Sequence, residues 1–173
     1  MTLQINTVTI RRLRDALIAN GQLITCPEPD LEADERDPRQ EASLKRVAPF
    51  AETMFLMMMA DGTATQSEKD AIRGALAMLT HGCIQQTRLD ELLGNFKAML
   101  ARQGVKYRLQ TLGSRISADR QDRETAFTLA AAVALADEEI ATGEFDLILD
   151  IADWYGISER RAKEIVEQVG RSN

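Results

Sequence analysis

Two stretches of this chain are built to one layout. MMMADGTATQSEKDAI spans residues 57–72, and ALADEEIATGEFDLIL spans residues 134–149. At an offset of 76 residues Asp61 falls on Asp137, Glu68 on Glu144 and Asp70 on Asp146, while Ala60 meets Ala136, Ala64 meets Ile140 and Ile72 meets Ile148. Each copy runs an apolar helix into Ala-Asp, then a short loop with one apolar residue to bury, then a helix with glutamate in its first turn. Downstream the likeness fades, and Gly62 faces Glu138. A chain that writes the same corner twice is expected to fold as paired helical hairpins with an internal duplication.

The remaining periodicity agrees. Ile10, Leu13 and Leu17 recur at helical spacing, so a helix is expected over residues 7–20, closed by Asn20-Gly21. Phe50, Met54, Met57 and Met58 form an apolar stripe, read as core rather than as a methionine-rich groove. Pro49 is expected to open that helix, because proline has no amide donor and clashes in a helix interior. A helix over 66–79 follows and breaks at THGC. Thr87 with Asp90 resembles a capping box ahead of Leu89, Leu92, Leu93, Phe96 and Leu100. Further helices are expected from Val105 to Ile116, from Ser117 or Asp119 to Ala136, from Gly143 to Tyr155 and from Ser158 to Val169, with Gly156 between the last two. Nothing alternates with period two long enough to be a strand. The chain is therefore expected to be all-α, a compact bundle of seven to eight helices. Residues 1–43 are read as one helix plus an acidic, proline-containing linker (CPEPDLEADERDPRQE), and residues 44–169 as the helical domain.

The totals bound the rest. One domain with a real core fits 173 residues. Aromatics are only 5% of the residues, which favours helices over strands. A net charge of −6 repels phosphate backbones, so nucleic acid is not expected as a partner. WYGISERRAKEIVEQV has the outline of a helix-turn-helix, with Arg160, Arg161 and Lys163 near the turn, but that outline is common in proteins that never touch DNA. The two cysteines, Cys26 and Cys83, form no framework and are expected as free thiols in a reducing compartment. The longest apolar stretch, Ala126 to Ala136, falls short of the ~20 residues a bilayer needs. ALIA after Arg11, Arg12 and Arg14 is too short for a signal-peptide core. The protein is read as cytoplasmic.

Asp61, Glu68, Asp137 and Glu144 admit two readings. Carboxylates at helix starts cap orphan amides and complement the helix dipole; Thr65 with Glu68 fits a capping box, and Thr142 takes that position after Ala141 in the second copy. Alternatively the two corners meet. Four carboxylates sharing one field, thickened by Glu138 and Glu139, repel one another until a hard cation or a basic partner relieves them. Oxygen donors select Ca²⁺ or Mg²⁺ over zinc, although the loop lacks the pattern of an EF-hand. His81 and Cys83 are too few for zinc and lack the orienting third group of a nucleophile–base pair.

The MADG…S…E and LADEEI…E corners, in an all-helical chain, resemble the TerB-like tellurite-resistance family over roughly residues 44–169. The resemblance implies a bundle of about seven helices with an internal duplication. It also implies an acidic cluster for a metal ion, with Asp61 and Glu68 matching in the first copy and Asp137 and Glu144 in the second. Glu138 stands where glycine is usual, and Ala141 where a Ser or Thr cap is usual. The resemblance further implies roles in tellurite and chemical stress and in membrane-linked assemblies, without an established enzymatic activity. The expected function is thus a non-enzymatic module that binds a divalent cation or a basic protein partner. The alternatives are a metal-dependent hydrolase using the same carboxylates, and an interaction domain docking through residues 1–43. Trp154-Tyr155 is read as an anchor of the bundle.

Overall fold

Every residue from Phe50 to Met58 is buried, so this stretch of one helix is enclosed on all sides and the other helices are arranged about it. The computed structural model describes residues 5–19, 38–62, 64, 66–116, 118–136 and 142–172. Among the described residues there are eight α-helices, one 3₁₀ turn and no strand. The helices are α1 (Thr7–Ala19), α2 (Pro38–Met58), α3 (Gln66–Leu79), α4 (Gln86–Gln103), α5 (Val105–Ile116), α6 (Arg120–Ala134), α7 (Thr142–Trp154) and α8 (Glu159–Ser172). The 3₁₀ turn, Met59–Asp61, directly follows α2. The enclosed stretch is the C-terminal part of α2. This helix packs most extensively on α6 and also meets α3, α4 and α5. Around this pair α7 packs on α5, α6 and α8, and α1 lies mainly on α3, also touching α6 and α8.

An enclosed helix has no solvent for its polar side chains, so each needs an internal partner. Glu52 takes two bonds from Arg108 on α5, 2.6 Å from Nε and 2.9 Å from Nη2, with side-chain exposures of only 5% and 6%. The bidentate geometry is the kind that offsets the desolvation of both charges. Hydrogen bonding to Glu52 raises the Arg108 pKa against the opposing effect of burial. One residue on, the Thr53 hydroxyl donates to the Pro49 carbonyl at 2.8 Å. Its proton is thereby committed, so the Tyr155 hydroxyl donates to Thr53 Oγ1 at 2.6 Å. Tyr155 is fully buried, and desolvation pushes its phenol pKa up. Two consecutive residues of α2 thus tie it to α5 and to the end of α7. Half-exposed pairs tie the outside, with Arg46 on Asp122 joining α2 to α6 and Arg73 on Asp90 joining α3 to α4.

The chain breaks where glycine permits a left-handed backbone, at Gly62 (φ 93°) and Gly156 (φ 66°) among others. Asp119 caps α6, accepting from the amides of Gln121 and Asp122. Four expectations need correction. Pro49 lies inside α2 rather than at its start. It offers no amide to the Lys45 carbonyl, a loss of about 3 kcal/mol in an exposed helix, but twelve buried residues on α2 hold it through that defect. Proline instead opens α2 at Pro38, so the expected linker ends earlier and Glu41 is already helical, paired with Arg88. Thr87 is not the cap of α4, whose N-cap Gln85 makes no side-chain bond, and Asp90 turns to Arg73. The remainder of the linker, 26–37, lies outside the described residues. Cys83 is disulfide-bonded, which removes the free-thiol argument for a reducing compartment; Cys26, the other cysteine, lies outside the described residues. No described helix is long and apolar enough to cross a membrane. Tyr155 anchors the bundle as expected, while Trp154 is half-buried with the Lys106 ammonium 5.9 Å from its ring centroid.

Two predictions follow from this packing. Gly113 on α5 faces the end of α7, and a Cβ there would run into the Trp154 carbonyl and lie 3.1 Å from the Tyr155 ring. Gly113→Ala is expected to cost about 1–3 kcal/mol by overpacking. Gly74→Ala on α3, where a Cβ meets nothing within 4 Å, is expected to gain roughly 0.5–1 kcal/mol; urea denaturation of both variants reads the contrast. Arg108→Met strands the Glu52 carboxylate and is expected to cost about 3–5 kcal/mol. Adding Glu52→Leu is expected to restore most of that loss, as a double-mutant cycle will measure.

Candidate functional site

The first corner begins where α2 tightens into the 3₁₀ turn carrying Asp61. Gly62 closes the turn, donating its amide to the Met59 carbonyl at 3.0 Å in a left-handed conformation that favours glycine. The chain then enters α3, whose first turn holds Glu68, half-buried. Asp70, the third acid of this copy, accepts from Gln66 Nε2 at 3.0 Å and from Arg73 at 2.6 Å, so it is committed to its own helix.

The second corner begins as α6 ends. The Leu135 amide bonds back to the Ala131 carbonyl and that of Ala136 to Val133, at 2.9 and 3.2 Å. Asp137, Glu138 and Glu139 lie outside the described residues, and the chain resumes in α7, which carries Glu144 in its first turn. Asp146 is exposed. Between the corners, α7 packs against the 3₁₀ turn. The helix of the second corner and the backbone of the first are therefore neighbours. Glu68 stands on α3, which packs on α1 and α2. Among the described residues no group of three or more His, Cys, Asp or Glu is assembled for a metal ion.

A family model described as tellurite resistance protein TerB matches residues 46–167, more than half of the chain. The chain belongs to the TerB family. No curated protein and no solved structure matches it. The matched span runs from inside α2 to inside α8 and takes in both corners, whereas α1 and the start of α2 precede it.

The helix-turn-helix outline resolves into the α7–α8 connection of the TerB bundle. Its cations all face carboxylates. Arg161 reaches back to Glu124 on α6 at 2.6 Å and to Glu164 at 3.2 Å, Lys163 pairs with Glu159 at 2.6 Å, and Arg160 lies 3.6 Å from Glu164. The buried charge pair Glu52–Arg108 was not anticipated from the sequence. Its signal was a glutamate inside the apolar run PFAETMFLMMM, which an enclosed helix tolerates only when a cation arrives from elsewhere.

Glu124 is the hub of the α6–α8 contact, bound by Arg161 and, at 2.8 Å, by Arg120. The Arg161 hydrogen bonds hold its pKa below the ordinary 4.5, against the opposing effect of burial, with a further contribution from Arg120. A depressed carboxylate pKa contributes stability above the unfolded value, and that stability is lost as pH falls through the folded value. Glu124→Gln is therefore expected to lower stability at pH 7 by about 1 kcal/mol. Its stability and that of the unsubstituted protein should converge below pH 4.5, as denaturation across an acid series will show.

Proposed function

We propose that this chain is a non-enzymatic TerB module whose two corners form one acidic surface, with Asp61, Glu68, Asp137 and Glu144 as its donors. The observation that carries this reading is the packing of α7 against the 3₁₀ turn that bears Asp61. On this reading the carboxylates of the two corners share one field, as the matching layout of the two stretches in the sequence suggests. Like charges in a shared field raise the free energy of the empty surface, and a cation lowers it. An all-carboxylate donor set is hard, so the ion is Ca²⁺ or Mg²⁺, with water completing the shell. The same field serves a basic protein surface, which suits a module working inside a larger, membrane-linked assembly in tellurite or chemical stress.

Amide NMR during Ca²⁺ and Mg²⁺ titration tests the reading. Saturable shifts confined to residues 59–70 and 135–146 are expected, with affinity roughly millimolar or tighter. Asp61→Asn with Glu144→Gln is expected to weaken them at least tenfold while leaving the unfolding midpoint without metal unchanged or higher, since repulsion falls. Absence of shifts at both corners in millimolar metal sinks the cation part of the proposal.

A further inference from the structure

Among the described residues five large apolar side chains stand exposed, and four of them lie on two helices, Val8 and Ile18 on α1 and Phe145 and Leu149 on α7. At about 100° per residue, Ile18, Arg11, Val8 and Arg12 share an arc of about 120° on α1, opposite the buried Ile10 and Leu17. On α7, Phe145, Leu149, Asp153, Asp146 and Asp150 share an arc of about 140°, opposite the buried Ile148 and Ile151. Each helix thus buries one face in its own bundle and turns a mixed apolar and charged face to solvent.

The two outer faces carry opposite charge. α7 holds Glu144, Asp146, Asp150 and Asp153 and no cation, whereas α1 holds three arginines against one aspartate. Arg14 is occupied by Asp15 at 2.8 Å, but the side chains of Arg11 and Arg12 make no ion pair or hydrogen bond among the described residues, nor do those of Asp146, Asp150 and Asp153. The acids of α7 also oppose one another. Asp146 and Asp150 are four apart, Asp150 and Asp153 three apart, and like charges at those spacings destabilise a helix. Asp153 stands in the last turn, at the negative end of the helix dipole, where no basic residue answers it. α8 shows the opposite habit, its Lys163 and Arg171 each paired with a glutamate one turn back.

We propose that α1 of one copy of this chain docks on α7 of a second copy, with Val8 and Ile18 against Phe145 and Leu149 and with Arg11 and Arg12 among the three aspartates. Both helices have thirteen residues, a length of about 20 Å, so the faces match in extent as well as in sign. Within one copy α1 turns its inner face to α3, α6 and α8, which leaves its outer face for a neighbour. A twofold axis lets two copies make the contact twice and closes the assembly. Neither face contains Asp61, Glu68, Asp137 or Glu144, and no cation is needed, so this proposal and that of the acidic corners can fail separately.

Sedimentation velocity of the full chain tests the contact. From about 10 to about 500 µM protein the sedimentation coefficient is expected to rise with concentration, as for a weak contact between single helices. In about 500 mM salt that rise is expected to shrink several-fold relative to about 50 mM, because exposed charges are screened. Asp150→Lys with Asp153→Lys, and separately Arg11→Glu with Arg12→Glu, are each expected to weaken self-association at least tenfold. Both change exposed side chains only, and melting followed by circular dichroism is expected to show each variant folded. An equimolar mixture of the two variants is expected to recover the association, since the reversed α7 of one then meets the reversed α1 of the other. The proposal is overturned by a monomer at every concentration in low salt, by association that survives either reversal, or by a mixture of folded variants that associates no better than its components.

Discussion

A helical stretch enclosed on every side is the constraint on which the rest of this bundle depends. From Phe50 to Met58 every residue of α2 is buried, so Glu52 and Thr53 must be answered from other helices or the stretch cannot be buried. Arg108 and Tyr155 supply the answers. Both bonds are directional, whereas the apolar contacts of Leu56 or Met57 tolerate sliding and rotation. The pair of polar ties therefore fixes where α5 and the end of α7 stand relative to α2, and the apolar residues fill the space so defined.

The position of the second corner follows from the same ties. Tyr155, just past α7, is bound at Thr53, and α7 also packs on the 3₁₀ turn that continues α2. The helix that carries Glu144 is thus referenced at two places to the segment that carries Asp61. The surface cations contribute differently. Arg46, Arg73, Arg88 and Arg161 each bridge from one helix to another.

Local chemistry made much of this fold legible. The helix over 66–79, the glycine stop at Gly156 and the cap at Asp119 are decided by residues within a turn or two of each other, so a linear reading finds them. Pro49 was misplaced because its local preference is real and only the enclosure of α2 by other helices overrides it. Thr87 was misread for a related reason. Its partner in the expected capping box, Asp90, is drawn to Arg73 on a different helix.

The candidate sites divide in the same way. Sequence alone determined that acids fall at matching positions of two stretches and that the fold is all-α, since residue type and short-range spacing suffice for both. Tertiary structure alone decided that α7 lies on the first corner and that Arg108 meets Glu52 across fifty-six residues. Each of these joins segments far apart in the chain, and the free energy that holds them together comes from surfaces that meet only after folding.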